Sequence, residues 1–209
     1  ARLSGSDGFR KGRQKGAESL INSPSLAFRV NFFGFSGLQL GISGYTGKTQ
    51  STLYQGLEKS DETAVSKADS SVAGLDMFGM DARYQIGGFQ LRGQINYGLV
   101  SNSLQYNEFT GSDLGSSIYG WYGEAAYNVF NSLNHISSEL ILFFRFEQYH
   151  THASVEESIL LNPGYNRSDI TFGIGWKLDR GAMLKVDYQI IQNKGSDNNI
   201  NQLNAGVAI

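Results

Sequence analysis

Apolar and polar side chains alternate along this chain in one long stretch after another, and that period of two constrains the fold more than any other feature. From Asp76 to Ile86, Phe78, Met80, Ala82, Tyr84 and Ile86 fall on one parity, and Met77, Gly79, Asp81, Arg83 and Gln85 on the other. Successive side chains of an extended strand point to opposite faces, so one face is greasy and the other carries charge and amide. After Gly87-Gly88 the pattern returns: Phe89, Leu91, Ile95, Tyr97 and Leu99 oppose Gln90, Arg92, Gln94 and Asn96. Ile170, Phe172, Ile174, Trp176 and Leu178 form another stripe, as do Leu184, Val186, Tyr188 and Ile190. Shorter stripes run through Leu26–Phe32, Leu38–Ile42, Tyr119–Val129, Leu140–Phe146 and Leu203–Ile209.

These stripes predict about nine strands of about 8–13 residues, the length a tilted strand needs to cross a bilayer. Strands of ordinary soluble sheets average only about 5–6 residues. Short turns are expected near Phe33–Gly37, Ile86–Phe89 and Leu178–Ala182, with a medium one near Asn131–Ser138. Longer polar segments are expected near 47–73, 101–117, 151–168 and 193–199. Alternating short and long connections are what an outer-membrane barrel has, with the long ones outside the cell.

Composition agrees with strands. The 209 residues include 26 glycines, 11 tyrosines and 13 phenylalanines but only 2 prolines, a balance that disfavours helices. No cysteine is present, which excludes a disulfide framework and thiolate metal sites. A net charge of −2 argues against a nucleic-acid partner, which needs a concentrated basic face. The longest uninterrupted apolar run, Leu140–Phe144, is far short of the roughly 20 residues of a membrane helix. No secretory leader is visible.

The predicted fold is therefore all-β: an antiparallel up-and-down transmembrane barrel, of which residues 1–209 form a portion. Residues 1–24 read as an extracellular loop and residues 25–209 as membrane strands with their loops. Because bacterial single-chain barrels have an even strand number, nine strands imply further strands upstream, or else a tenth strand hidden in Ala1–Leu20. Open edges are costly in lipid.

Several segments resemble a known family. Asp81-Ala82-Arg83-Tyr84 followed by Gly88-Phe89-Gln90-Leu91-Arg92-Gly93 resembles a strand–turn–strand of the phosphate-selective porin O and P family. Gly120-Trp121-Tyr122-Gly123-Glu124-Ala125-Ala126-Tyr127 is similar to its aromatic strand. Phe144-Arg145-Phe146-Glu147-Gln148-Tyr149 and Leu184-Lys185-Val186-Asp187-Tyr188-Gln189 resemble strands that follow. The segment Gly12-Arg13-Gln14-Lys15-Gly16 is most similar to Bacteroidetes members. The resemblance covers most of residues 9–209 and matches the family's C-terminal part. It implies a barrel of about sixteen strands, often trimeric, passing small anions or other small solutes. The chain as given stops at Ala208-Ile209, without the terminal aromatic such barrels usually carry, and the family's phosphate-binding loop lysines would lie in the N-terminal half, outside this chain.

If the apolar face meets lipid, the alternate face lines the interior. It would carry Arg29, Asp81, Arg83, Arg92, Glu124, Arg145, Glu147, Lys177, Lys185 and Asp187, six basic and four acidic residues. Rings of Arg or Lys set anion preference, so a mild anion bias is expected. The plainer reading is a ladder of cross-strand ion pairs, with Arg83 and Arg92 facing Asp81. Tyr45, Tyr97, Tyr119, Trp121, Tyr127, Tyr149, Trp176 and Tyr188, many toward one end, read as an interfacial girdle or, more plainly, as packing.

Other motifs carry less. The basic run Arg10–Lys15 suits lipopolysaccharide phosphates or a partner, but a solvated loop is the simpler reading. His150 and His152 have the spacing to share a strand face as metal ligands, yet the other histidine, His135, is distant and no carboxylates cluster nearby. No metal is expected. Gly44-Tyr45-Thr46-Gly47-Lys48-Thr49 fails as a phosphate-binding loop because position 42 is isoleucine and no helix follows. Asn166-Arg167-Ser168 matches a glycosylation sequon, which means little in bacteria. No nucleophile elbow is present.

The sequence thus leads to a porin-like channel in the bacterial outer membrane, passing small hydrophilic solutes by passive diffusion. Inward-folded loops would set its size cutoff. The expected partners are outer-membrane lipid, small solutes or anions, a homotrimer or a surface protein complex, and no cofactor is implied. The first rival is a barrel scaffold that binds surface lipoproteins or secretion machinery. The second is an enzyme, for which His135, His150 and His152 are the only candidate bases; the expectation is that the protein is not one.

Overall fold

A computed structural model describes residues 3–208 apart from 13, 15, 17, 18, 134, 135 and 180. Nine strands form one antiparallel sheet in strict sequence order, as the alternation predicts. They are β1 (Leu26–Phe35), β2 (Leu38–Lys48), β3 (Gly74–Ile86), β4 (Phe89–Ser101), β5 (Ser117–Asn128), β6 (Glu139–Ser154), β7 (Asn166–Asp179), β8 (Ala182–Asn193) and β9 (Ser196–Ala208). Lengths run from 10 to 16 residues. The sheet is open: β1 and β9 are its two edges.

Register keeps like with like. Val30, Ile42, Met80, Ile95 and Trp121 stand in one row across five strands. Arg92, Glu124, Arg145, Thr171 and Gln189 form another on the opposite face. Both follow from the two-residue period, because directly paired residues of an antiparallel ladder share a face.

The tight turn between β3 and β4 consists of Gly87-Gly88, and Gly87 has φ 53°, a left-handed conformation glycine adopts without Cβ strain. Between β8 and β9 the structure departs from the sequence reading. The polar segment 193–199 is not a long loop; Asn193 pairs directly with Ser196. The Asn193 side chain accepts a hydrogen bond from the Gly195 N–H at 3.0 Å, which closes the turn and lets Ser196–Asn199 continue as strand.

The other long connections fall where expected, but two of them contain helices that the sequence reading left as polar loops. The first, α1 (Glu62–Ser70), is capped by Asp61, whose side chain accepts from the Ala64 N–H. The second, α2 (Ser103–Thr110), starts at Asn102, the one non-glycine residue at positive φ (62°) among those described. The Asn102 amide donates to the carbonyls of Asp69 and Val72 and so ties the two helical connections together. Residues 3–24 hold no tenth strand among the described positions, only an isolated Ser4–Gly8 bridge and a short turn of 3₁₀ helix at Arg10–Gly12.

The compact apolar core is not between layers. Leu3, Ala73, Val100, Tyr106 and Leu114 form it, with Phe9 and Leu75 packed against them, all at the end of the sheet bearing the long connections. The sheet itself has no second layer over its apolar face. Phe28, Val30, Phe32, Met80, Leu91, Ile95, Leu142, Phe144, Ile174 and Val186 are each 45–57% exposed.

Candidate functional site

Every one of the ten residues expected on the inner wall lies on the polar face, as the ladder register places them. Most are paired. Arg29 meets Asp81 at 2.8 Å. Glu124 serves two guanidinium groups, Arg92 at 3.6 Å and Arg145 at 4.0 Å. Arg145 also holds Glu147 at 2.5 Å and stacks on the Tyr122 ring, 4.0 Å from its centroid. Lys185 meets Asp187 at 3.0 Å, and Asn204 donates to the same carboxylate.

One expected pairing is different. Asp81 does not serve Arg83 or Arg92; it is taken by Arg29 from β1. The reason is register: Arg83 sits directly opposite Arg92, while Asp81 sits opposite Gly41 and Gln94. Glycine at 41 leaves the space through which the Arg29 side chain reaches Asp81.

The sequence reading missed three charged members of this face. Lys177 is bound by Glu139 at 2.6 Å. Asp169 is buried opposite Glu147 and accepts from Gln189, and Arg167 lies over the Tyr149 ring. One base and two acids added to six and four bring this face close to charge balance. Glu139 was legible by parity, since it shares its phase with Arg145; Arg167 was hidden because its segment read as loop, and Asp169 because it falls between that loop and the stripe that starts at Ile170.

Of the aromatic residues expected to form a girdle, Tyr97, Tyr119, Trp121, Tyr127, Trp176 and Tyr188 are on the apolar face, whereas Tyr45 and Tyr149 are on the polar one. They mark both ends of the sheet rather than one. Tyr97 pairs with Tyr119 toward the long connections, and Phe89 packs on Tyr127 at the short-turn end with ring centroids 4.5 Å apart.

His150 and His152 do not share a site. The β5–β6 register shifts between Tyr119–His150 and Ser117–Ser154, and such a bulge re-aims side chains. His150 stays beside Tyr119, while His152 turns into the loop core and is fully buried against Tyr165. No metal-binding cluster occurs among the described residues. His135, Arg13 and Lys15 lie outside the described residues, as do Arg180 of the β7–β8 turn and the terminal Ile209; within the basic run, Arg10 is exposed and Lys11 pairs with Asp7 at 2.9 Å.

The same bulge helps to hold the segment before β1 across the long-connection end of the polar face. Thr151 donates to the Gly5 carbonyl, Ser112 to that of Leu3, and the Leu3 N–H donates to the Tyr106 hydroxyl. Asp113 accepts from the Gly5 N–H at 2.9 Å and from the Tyr165 hydroxyl at 2.8 Å. Burial works to raise the Asp113 carboxyl, but these hydrogen bonds and the nearby His152 outweigh it and hold the group below its ordinary value. Phe9 lies over Gly98, where a Cβ would come within 2.9 Å of its ring, so a side chain at 98 would displace that ring from the polar face.

No protein-family model matches the chain. It is similar to an uncharacterized protein of Aquifex aeolicus (strain VF5), 25% identical over 189 residues and 86% of this chain. The chain spans about 40% of that relative's length.

Proposed function

We propose that this sheet is the membrane-spanning wall of a bacterial outer-membrane β-barrel, and that its polar face lines a channel for passive diffusion of small hydrophilic solutes. The observation that carries the reading is the uncovered apolar face. It runs across nine strands with Val30, Ile95, Leu142, Ile174 and Val186 all about half exposed, whereas a soluble monomer rarely leaves a contiguous apolar patch larger than about a few hundred Å² uncovered. Lipid is the medium that would make such a face favourable, and strands of 10–16 residues suit it. Open edges are not tolerated in lipid, so β1 and β9 would pair with strands beyond this segment. The resemblance to the phosphate-selective porin O and P family points the same way.

On this reading the long connections face outward, and the segment Leu3–Phe9 narrows that mouth. The ion-pair ladder stiffens the wall and leaves a near-neutral field. Arg83 is the exception. Alone among the six expected bases, it has no ion pair among the described residues, so a mild anion preference would rest chiefly on it.

The test is planar-bilayer conductance of the full-length protein under a salt gradient. Stepwise currents with a small anion-directed reversal potential are expected. A purified protein that stays folded and monodisperse without detergent would overturn the reading.

A scaffold role draws on one feature, Leu160 and Leu161 in the connection after β6, exposed at 91% and 46%. Under that reading Leu160→Asp would abolish capture of a surface protein; under ours it leaves conductance unchanged.

A further inference from the structure

Between the Asp7–Phe9 segment and the polar face lies a cavity of about 470 Å³, reaching from Ala27 on β1 to Tyr149 on β6. Its size is that of a small-molecule site. The lining differs from the wall around it. Asp81, Arg92, Glu124 and Arg145 lie deeper toward the short turns; Arg29 is level with Ser43 but its guanidinium is held by Asp81, and none of the five lines the cavity. Side chains that do are Phe9, Tyr45, Met77 and Tyr149, with Ser43 and Asn96 among them. Its single charged group, Asp7, is already neutralised by Lys11 at 2.9 Å.

Glycines make the room. Gly79, Gly98 and Gly120 present bare backbone to the cavity on three successive strands. Two tyrosines, otherwise expected in an interfacial girdle, instead stand on this face. Tyr45 has its hydroxyl anchored on Ser25 at 3.0 Å, and Tyr149 is backed by the Arg167 guanidinium, 5.9 Å from its centroid. Rings held in this way offer flat apolar surface at little further entropic cost. Ser43 and Asn96 supply hydroxyl and amide groups beside them.

From this lining we infer that the cavity is a binding site for a neutral ring solute, one with an apolar ring face and hydroxyls at its edge. An anion finds no free cation here. The Asn96 oxygen accepts from Gln94 and the Ser43 hydroxyl donates to the Gly79 carbonyl, which leaves the Asn96 amide N–H groups to be matched, and a purely apolar molecule cannot match them, which costs affinity. Pyranose sugars and phenolic alcohols share the chemistry that fits. The site goes beyond the channel reading and does not require it.

The test is saturation-transfer NMR on the full-length protein in detergent micelles, with methyl glucoside, 4-hydroxybenzyl alcohol and glucose 6-phosphate as probes. Transfer to the ring protons of at least one neutral probe is expected, and which one binds identifies the source. Glucose 6-phosphate should bind more weakly than methyl glucoside. Loss of a stacking ring in Tyr45→Ala or Tyr149→Ala should weaken binding by about tenfold, while Tyr149→Phe retains it. Met77→Trp, which fills the cavity without removing a ring, should abolish binding and guards against misfolding of the alanine variants. Absence of transfer from both neutral probes, preference for the phosphate, or binding that survives Met77→Trp would each overturn the assignment. Because binding is read without a current, a protein that binds but does not conduct would sink the channel reading alone.

Discussion

Arg83 and Arg92 stand directly opposite each other on β3 and β4, two like-charged residues paired across the ladder on the polar side of the sheet. Arg92 is shared with Glu124, 3.6 Å away; Arg83 has no ion pair among the described residues. Like charges directly opposite are destabilising, and an opposite-charge pair contributes about 0.2–1 kcal/mol. Arg83→Glu should therefore stabilise the fold by about that amount and move the reversal potential toward cations. Urea unfolding in lipid vesicles reads the first effect and bilayer recording the second. An unchanged reversal potential would remove Arg83 from the conduction path.

Ile95 lies midway along β4 on the apolar face, and its sequence neighbour Gln94 is on the polar one. In lipid, Ile95→Lys is expected to cost about 2–4 kcal/mol, whereas Gln94→Lys should stay within about 0.5 kcal/mol. Equilibrium unfolding of both variants in vesicles checks this. Equal costs would mean that the apolar face does not meet acyl chains.

Asp113 sets an acid limit on the docked N-terminal segment. Its carboxyl ionises more readily in the folded protein than in the unfolded chain, so its stabilisation is fully present above the ordinary carboxylate value of 3.8 and is lost as pH falls through the lower folded value. The Gly5 amide, which donates to this carboxylate, should exchange slowly at neutral pH and lose its protection below about pH 4, after correction for intrinsic rates. Asp113→Asn should speed that exchange about tenfold at pH 7 and flatten the acid dependence. Protection that is the same at pH 7 and pH 3 would show that the carboxylate does not hold the segment.

Glu124 bridges Arg92 and Arg145 with its side chain only 17% exposed. Glu124→Gln should cost more than loss of an exposed pair, above about 1 kcal/mol, because Arg92 loses its ion-pair partner and Arg145 one of its two. A double-mutant cycle with Arg92→Gln should return a coupling of at least about 0.5 kcal/mol. The same variant should make currents more anion-selective. Additive effects would indicate that the ladder is electrostatically idle.

What the sequence determined by itself was the partition of residues between two faces. Period-two alternation is a property of each strand alone, so Arg29, Glu124 and Lys185 could be assigned to one side, and Val30, Ile95 and Val186 to the other, without knowing what paired with what. Turn chemistry was equally local at Gly87-Gly88. The signal in Asp61-Glu62-Thr63-Ala64, an N-cap before good helix formers, was there to be read but was obscured by the polarity of its loop.

Only the tertiary structure decided which groups meet. The Arg29–Asp81 pair joins residues 52 positions apart, and Leu3 reaches Tyr106 across 103. Such contacts depend on inter-strand register, on a bulge in β6 that sends His152 inward, and on a glycine at 98 that admits Phe9. None of these leaves a periodic trace within one segment, because each is an agreement between distant segments about a shared space. The ring-lined cavity is of that kind, assembled from the N-terminal segment and several strands that carry no common motif.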